Sequence, residues 1–455
     1  MLDPACRALG LAAVLAVGAG AAMAAPVQFQ TYTLDNGLRV ILHEDHGTPL
    51  VAVNVWYHVG SKNEKPGRTG FAHLFEHMLF QGSENIRANE HFELVQRYGG
   101  VANGTTWYDR TNYFETLPSN VLELGLWLES DRMGFFEKGL TQPKLDNQRE
   151  VVKNERRTRV DNQPYGTWLE KMTETAYPPE HFYHWPVIGY MKDLDAATLD
   201  DVKEFFRTYY APNNAVLTVA GDIDLEKAKE LIAVYFDSIP RGPDAPRPVS
   251  DFKLPETEKR LVVEDTVQLP KIFMLYHGPK IGTADYYAGD LLSTLLSSGK
   301  SSRLYHRLVY ELQLAKDVTA FVFPLEEAGQ FHFQATCREG VDPETLENAL
   351  QKEIDRLSKE EIGEVELERA RNRAETDLAR QLDAIGDRAD HLSANMVYFG
   401  DPGRINSEME QYRRVTSSDL AAFSRKYLKS IHRVVAWYVP PKPAAPAPEP
   451  AALPK

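Results

Sequence analysis

The chain has 455 residues and a formal net charge of −14, long enough for two or three packed domains and too acidic for a nucleic-acid-binding protein. Its two cysteines, Cys6 and Cys337, exclude a disulfide-built scaffold, so stability has to come from hydrophobic cores.

Residues 1–24 read as a secretory leader. Arg7 supplies a positive start, Ala8 to Ala22 is small and apolar, and Ala22-Met23-Ala24 forms an A-x-A cleavage site before Ala25. The run is short and alanine-rich for a membrane span, and no later stretch reaches spanning length. Cys6 lies ahead of the apolar run, where a lipid attached at a cleavage site is not expected. Cleavage would release the mature chain across the inner membrane, in a bacterium to the periplasm first of all or beyond it. Cys337 would then be left as a small, buried, unpaired residue.

Apolar alternation predicts strands at Leu38–Leu42 and Val51–Tyr57. His73-Leu-Phe-Glu76-His77 follows. Two histidines four residues apart sit one helical turn apart, so both imidazoles can reach one metal ion. Phe71, Leu74, Phe75, Met78 and Leu79 form an apolar stripe. His73, Glu76 and His77 fall opposite, with Phe80 among them. Two neutral imidazoles suit Zn²⁺ and leave positions for a third ligand and a water, toward which Glu76 can act as general base. A solvated polar helix face is the plain alternative.

A third ligand has to come from another element. Val101–Trp107 after Gly99-Gly100 has strand character, and Lys144–Glu155, introduced by Pro143, reads as a helix. On it Glu155 shares the inward face with Val151 and Val152, whereas Glu150 points away. A carboxylate on an apolar face needs a partner, either a metal or an arginine or lysine. His181 and His184 also have ligand-like spacing. They lie among prolines and aromatics without a cysteine or acidic cluster, so packing is the expected role.

Val216–Ala220 is a strand and Leu225–Phe236 a helix. The prolines of Ile239–Pro248 mark a linker, taken as 239–258. Beyond it come strand Lys271–Tyr276, helix Tyr286–Leu296, strand Gln330–Thr336, helix Pro343–Leu357, a helical stretch Glu364–Leu382 and strand Val434–Tyr438. Gly299-Lys300-Ser301 is similar to the end of a phosphate-binding loop, but Thr294 occupies the required glycine position. The fold class is α+β, with two α/β-sandwich domains at 27–238 and 259–439 from a duplication. Residues 440–455 read as a disordered proline- and alanine-rich tail.

His73-Leu-Phe-Glu76-His77 with Glu155 in Arg149-Glu-Val-Val-Lys-Asn-Glu155 resembles the signature of the pitrilysin family of inverted-zinc-motif peptidases. Insulin-degrading enzyme and mitochondrial processing peptidase belong to that family. Leu34–Val40, Gly99–Thr106, His184–Gly189 and Tyr210–Asn214 resemble further family motifs, so the likeness covers nearly the whole mature chain, in its short two-domain bacterial type. It implies one Zn²⁺ per chain on His73, His77 and Glu155, with Glu76 as the base that activates water. It also implies that the chain is half of a four-domain clamshell. Residues 101–107 would be an edge strand to which an extended peptide adds, with Asn103 and Gly104 binding substrate. The implied activity is a secreted zinc endopeptidase cutting short or unfolded peptides in an enclosed chamber. The alternative is a non-catalytic, structural or peptide-holding subunit.

Two departures from the family stand out. Its C-terminal arginine and tyrosine, which hold substrate, align here with Val309 and Lys316. Arg303 and Tyr310 have the right spacing but sit too early. Gln148 replaces a frequent glutamate near the third ligand, where it can tune the site through hydrogen bonds. The missing pair favours a heterodimer with a related chain that supplies those residues. A homodimer relying on Lys316, or on Arg303 with Tyr310, is the alternative.

Overall fold

The computed structural model describes residues 26–360 and 362–441; the expected leader and the tail beyond 441 lie outside the described residues. Strands form where β-branched and aromatic residues concentrate. In the N-terminal half these are β1 (Gln30–Thr33), β2 (Arg39–Glu44), β3 (Leu50–Tyr57), β4 (Val101–Thr106), β5 (Thr111–Pro118) and β6 (Ala215–Gly221). They make one sheet in the order β1-β2-β6-β3-β5-β4. The second sheet runs β7-β11-β8-β10-β9, from β7 (Lys259–Glu264), β8 (Lys271–His277), β9 (Ala315–Phe323), β10 (Gln330–Cys337) and β11 (Arg433–Val439). The pairs β2/β6 and β7/β11 are parallel and every other pair is antiparallel. Setting β1 aside, the two sheets share one strand order and one set of strand directions, which is the duplication expected from the sequence.

Five helices of the N-terminal half matter below: α1 (Phe71–Met78), α2 (Glu90–Arg97), α3 (Leu122–Gly139), α4 (Gln142–Arg156) and α5 (Trp168–Ala176). Strands β3 and β6 are buried almost end to end, so both faces of their sheet need a cover. One face packs on α1 and α3 through a single core that includes Val53, Val55, Phe75, Met78 and Leu126. The other face is covered by the helix Ile385–Phe399 from the far half of the chain. Its Leu392 and Val397 meet Ile41, Trp56 and Val216, and its Ile385 and Ala389 meet Ala52 and Ala220. Asp390 on that helix accepts hydrogen bonds from Trp56 Nε1 (2.7 Å), Asn112 Nδ2 (3.1 Å) and Asn54 Nδ2 (3.2 Å).

The second sheet is closed in return by α5. Met172 and Ala176 pack among Phe273, Leu275, Val434 and Tyr438, and Trp168 stacks on Phe273 at 5.1 Å. Each half therefore lends a helix to the other's sheet. A buried polar joint reinforces the exchange. Lys62 bridges Asp109 (3.1 Å) and Glu326, and His58 Nε2 lies 2.8 Å from Glu326. Tyr183 donates to Asp109 (2.6 Å) and accepts from the Glu327 backbone (3.1 Å).

Helices Leu225–Phe236 and Pro343–Leu357 have the ends read from the sequence, and the other expected elements shift by a few residues at most. Residues 240–258 contain no helix or strand, and Arg247 ties them to the His58 carbonyl at 2.8 Å. Among the described residues, no helix is long and apolar enough to cross a membrane.

Candidate metal centre

Helix α1 starts without a capping side chain of its own, because its N-cap is Gly70 in the left-handed region (φ +82°). Glu64 performs that role from a preceding loop. Its carboxylate accepts from the backbone N–H of Gly70 (2.9 Å) and of Ala72 (2.8 Å), satisfying donors that a helix start leaves free. A Cβ on Gly189 would lie 2.3 Å from Gly70 Cα, so two glycines let the loop after His184 press against the start of α1. Side chains 149, 153 and 156 of α4 grip the same loop. Arg149 donates to the Leu194 and Ala197 carbonyls, Lys153 pairs with Asp195, and Arg156 donates to the Gly189 carbonyl. Helices α1 and α4 are thereby fixed to one shared segment.

This fixing brings His73, Glu76, His77 and Glu155 together. Glu155 Oε2 lies 3.2 Å from His77 Nε2 and 3.8 Å from His73 Nε2. Tetrahedral zinc with bonds of about 2.0–2.1 Å requires ligand atoms about 3.3 Å apart, so the Glu155 oxygen lies at or near ligand spacing from both imidazoles. One ligand atom of each of His73, Glu76 and His77 also lies within 4.8 Å of the others. Burial, then the neighbouring His77, lowers the His73 pKa to about 4, which keeps that imidazole in the neutral form a ligand needs. The hydrogen bond from His77 holds the Glu155 carboxyl below its ordinary range, as an anionic ligand.

Glu155 answers the partner question in two ways at once: Oε2 faces the histidines while Oε1 pairs with the exposed Arg159. Its side chain is 15% exposed against 63% for Glu150, so helical phase separated the two acids as expected. The apolar neighbours were read less well. Val152 is buried but Val151 is 41% exposed, and Phe80, placed on the polar side of α1, is buried among Phe92, His91 and Tyr113. Phe80 follows the end of α1, so helical phase no longer applies to it.

Strand β4 runs along α1. Thr106 Oγ1 donates to Glu76 Oε2 at 2.5 Å, and burial raises the Glu76 pKa while this bond and His77 act against it. Gly104 is the point of closest approach, since a Cβ there would sit 3.1 Å from Glu76 Cγ and 3.0 Å from the Phe80 ring. Strand β4 is the sheet edge, paired on one side only, with β5. The Trp107 N–H bonds to the Arg110 carbonyl, so antiparallel alternation turns the backbone groups of Ala102, Gly104 and Thr106 toward the free edge. Asn103 is exposed, and its Oδ1 accepts from the Gly104 N–H at 3.0 Å.

Other residues singled out in the sequence lie elsewhere. Gln148 is buried on α4, but His73 Nδ1 is left without a hydrogen-bond partner, so Gln148 does not hold that ring. His181 accepts from the Tyr183 N–H and bonds Ser250, and His184 bonds the Tyr177 carbonyl, so both are packing residues. Arg303 is engaged by Glu366 in a two-point pair (2.9 and 2.6 Å). Val309 is buried, whereas Tyr310 and Lys316 are exposed. Glu64, Thr106 and Arg156 were missed, because nothing in sequence spacing links them to α1.

A second cluster lies in the core beside α1. His91 on α2, Glu115 on β5 and Glu129 on α3 are all buried, with Arg132 3.0 Å from Glu129 and 2.8 Å from His91 Nδ1. Arg132 also lies over the Phe80 and Tyr113 rings. One guanidinium offsets one carboxylate, and burial raises the Glu115 pKa well above its ordinary value, so the second acid keeps its proton.

The comparisons with known proteins agree with this geometry. The family model described as Insulinase (Peptidase family M16) matches residues 39–182, and the one described as Peptidase M16 inactive domain matches residues 196–374. The chain is 34% identical over 445 residues to the zinc protease PqqE of Helicobacter pylori, covering 95% of this chain and 98% of that one. A crystal structure of a protease from Helicobacter pylori superposes with a TM-score of 0.86 at 31% identity, covering 91% of this chain and all of that one. The probable mitochondrial-processing peptidase subunit beta of Arabidopsis thaliana is 24% identical over 423 residues, 88% of this chain and 76% of that protein. A likeness that runs the full length of a zinc protease at this identity, on the same two-sheet fold, places the chain in peptidase family M16, the insulinase family.

Proposed function

We propose that this chain is a zinc-dependent endopeptidase that cuts short or unfolded peptides. The observation that carries the reading is the convergence of His73 Nε2, His77 Nε2 and Glu155 Oε2 from two helices, with Glu76 beside them. A zinc ion held there supplies an acidified water and a polarised scissile carbonyl. The chain's own residues do the rest. Thr106 holds Glu76 Oε2 and leaves Oε1 to take the proton of the attacking water and pass it to the departing amine. The raised pKa of Glu76 suits a group that both takes and returns a proton.

Substrate would add to β4 as another strand. The outward backbone of Ala102, Gly104 and Thr106 offers main-chain hydrogen bonds that accept many sequences and demand an extended peptide. Asn103 and Gly104 then flank the bond to be cut, with the Asn103 side chain yielding the Gly104 N–H. A tightly folded protein cannot present such a strand. The two sheets make half of a four-domain chamber, and a second, related chain would complete it and bring the substrate-holding arginine and tyrosine. The leader read at 1–24 would carry the enzyme across the inner membrane, to the periplasm or beyond.

The test is Glu76→Gln. It should keep about one zinc per chain and lose nearly all hydrolysis of a quenched peptide; activity equal to wild type would end the proposal. A second reading, a peptide-holding subunit without catalysis, draws on the match of residues 196–374 to an inactive-domain description. Zinc-free protein that still binds peptides would favour it.

A further inference from the structure

One unexplained cavity lies away from the metal centre. A cavity of about 400 Å³ sits in the C-terminal half, walled by the helices Ala284–Ser297, Glu364–Gln381, Ile385–Phe399 and Glu408–Arg414. We propose that it is a binding site for a primary alkylammonium ligand, with Asp290 and Glu408 as the counter-ions. Three observations carry this.

Among the described residues, Asp290 and Glu408 have no lysine or arginine in ion-pair contact, whereas Asp377 in the same wall pairs with Arg373. Asp290 accepts one hydrogen bond, from Tyr412 (2.8 Å), and no lysine or arginine lines the cavity among the described residues. Arg404 acts on Glu408 only at a distance: its guanidinium reaches the Tyr287 hydroxyl (3.1 Å) and lies 3.9 Å from the Phe399 ring centre. His391 is the one basic side chain in the wall. Burial raises the pKa of both acids, and for Glu408 it outweighs the opposing pull of His391 and Arg404.

The walls suit an organic cation. Tyr286, Tyr287, Tyr398 and Phe399 line the space, and aromatic faces beside carboxylates attract ammonium groups. Asp290, Glu408 and His391 do not gather as closely as the donors of the two metal-sized clusters, all within 4.8 Å, so the missing cation has molecular size.

A buried amide without a hydrogen-bond partner also faces the cavity. Asn395 lines the cavity at 7% exposure and its Nδ2 has no hydrogen-bond partner. Its amide can present either end, and an ammonium takes Oδ1.

The ammonium can belong to a free amine or to a lysine side chain of a peptide. Titration calorimetry and thermal melting of the full chain with 1,4-diaminobutane, butylamine, N-acetyl-lysine amide and 1-butanol tests the proposal. Saturable binding of an amine that raises the melting temperature is expected, with 1-butanol inert. Binding by the small amines assigns a free ligand, and binding by N-acetyl-lysine amide alone assigns a peptide-borne one. Asp290→Asn and Glu408→Gln should each weaken binding by about tenfold or more. Without ligand, both variants should melt no lower than wild type, because a buried carboxylate without an ion-pair partner has been removed. Ala374→Leu, which fills the wall without touching the acids, should weaken amine binding as well and serves if the charge variants do not fold. No binding by any amine, equal binding of 1-butanol, or unchanged affinity in these variants would overturn the proposal.

Discussion

Glu76 depends on its neighbours for both position and protonation. Thr106 holds one of its oxygens, and Gly104 leaves the room in which its side chain lies. Thr106→Val keeps the shape of the side chain and removes the hydrogen bond. It should lower kcat/KM by about 10- to 100-fold, the worth of a hydrogen bond to a charged group, with zinc content unchanged. An unaltered rate would show that Thr106 does not position the base. Gly104→Ala places a methyl group against Phe80, Glu76 and Tyr113 at 3.0–3.2 Å, so activity should fall by more than stability does, as read by peptide hydrolysis beside thermal melting. The sequence identified Glu76 through its motif. It did not identify Thr106, whose role exists only because β4 crosses α1.

The zinc-motif helix and the core beside it form one element-scale system. Phe80, just past α1, lies under Arg132, and Arg132 offsets only one of the two buried glutamates next to it. Removing the cation by Arg132→Met leaves two acids in the core and should cost about 3–5 kcal/mol of unfolding free energy. Glu115→Gln should instead be neutral or stabilising at pH 7. The sign follows from the raised pKa of Glu115 in the fold. Its stabilising contribution is complete below the ordinary value of 4.5 and is lost as pH rises above it, so wild type should lose ground to the variant between pH 4.5 and neutrality. Urea unfolding of both proteins across that range decides the matter, and a pH-independent difference would show that Glu115 ionises normally.

At the scale of the whole molecule, the exchange of helices makes the halves mutually dependent. The N-terminal half alone would lack the helix Ile385–Phe399 over Ile41, Trp56 and Val216. A fragment ending near residue 250 should therefore aggregate or bind a hydrophobic dye, and a soluble, cooperatively melting fragment would contradict this packing argument. The joint at Glu326 gives a pH signature of the opposite sign. Burial would raise its pKa, but His58 and Lys62 hold it down at about 2. Glu326→Gln should cost about 1–3 kcal/mol at pH 7. The deficit should shrink as pH falls from 4.5 toward 2, because that stabilisation exists above the ordinary value and is lost below it. Acid unfolding curves that stay parallel would refute it. For the chamber, solution mass and activity should be measured with the chain alone and with a related partner. Full activity from a homodimer, unchanged by the partner, would overturn the heterodimer.

The sequence by itself determined the family resemblance, the zinc motif with Glu155 as the acid that meets it, the duplicated α+β class and most elements to within a few residues. Those features are local: periodicity, spacing and turn residues are written in neighbouring positions. Val151 shows the limit even there, because the two valines flank Glu155 on opposite sides, about 100° apart, and only packing shows which side is buried. The tertiary structure alone decided that Glu64 caps α1, that Thr106 holds Glu76, that each sheet borrows a helix from the other half, and that Asp290 and Glu408 share a cavity. These pairings join residues from 6 to more than 300 positions apart, and nothing in the chemistry of either partner names the other until the chain is folded.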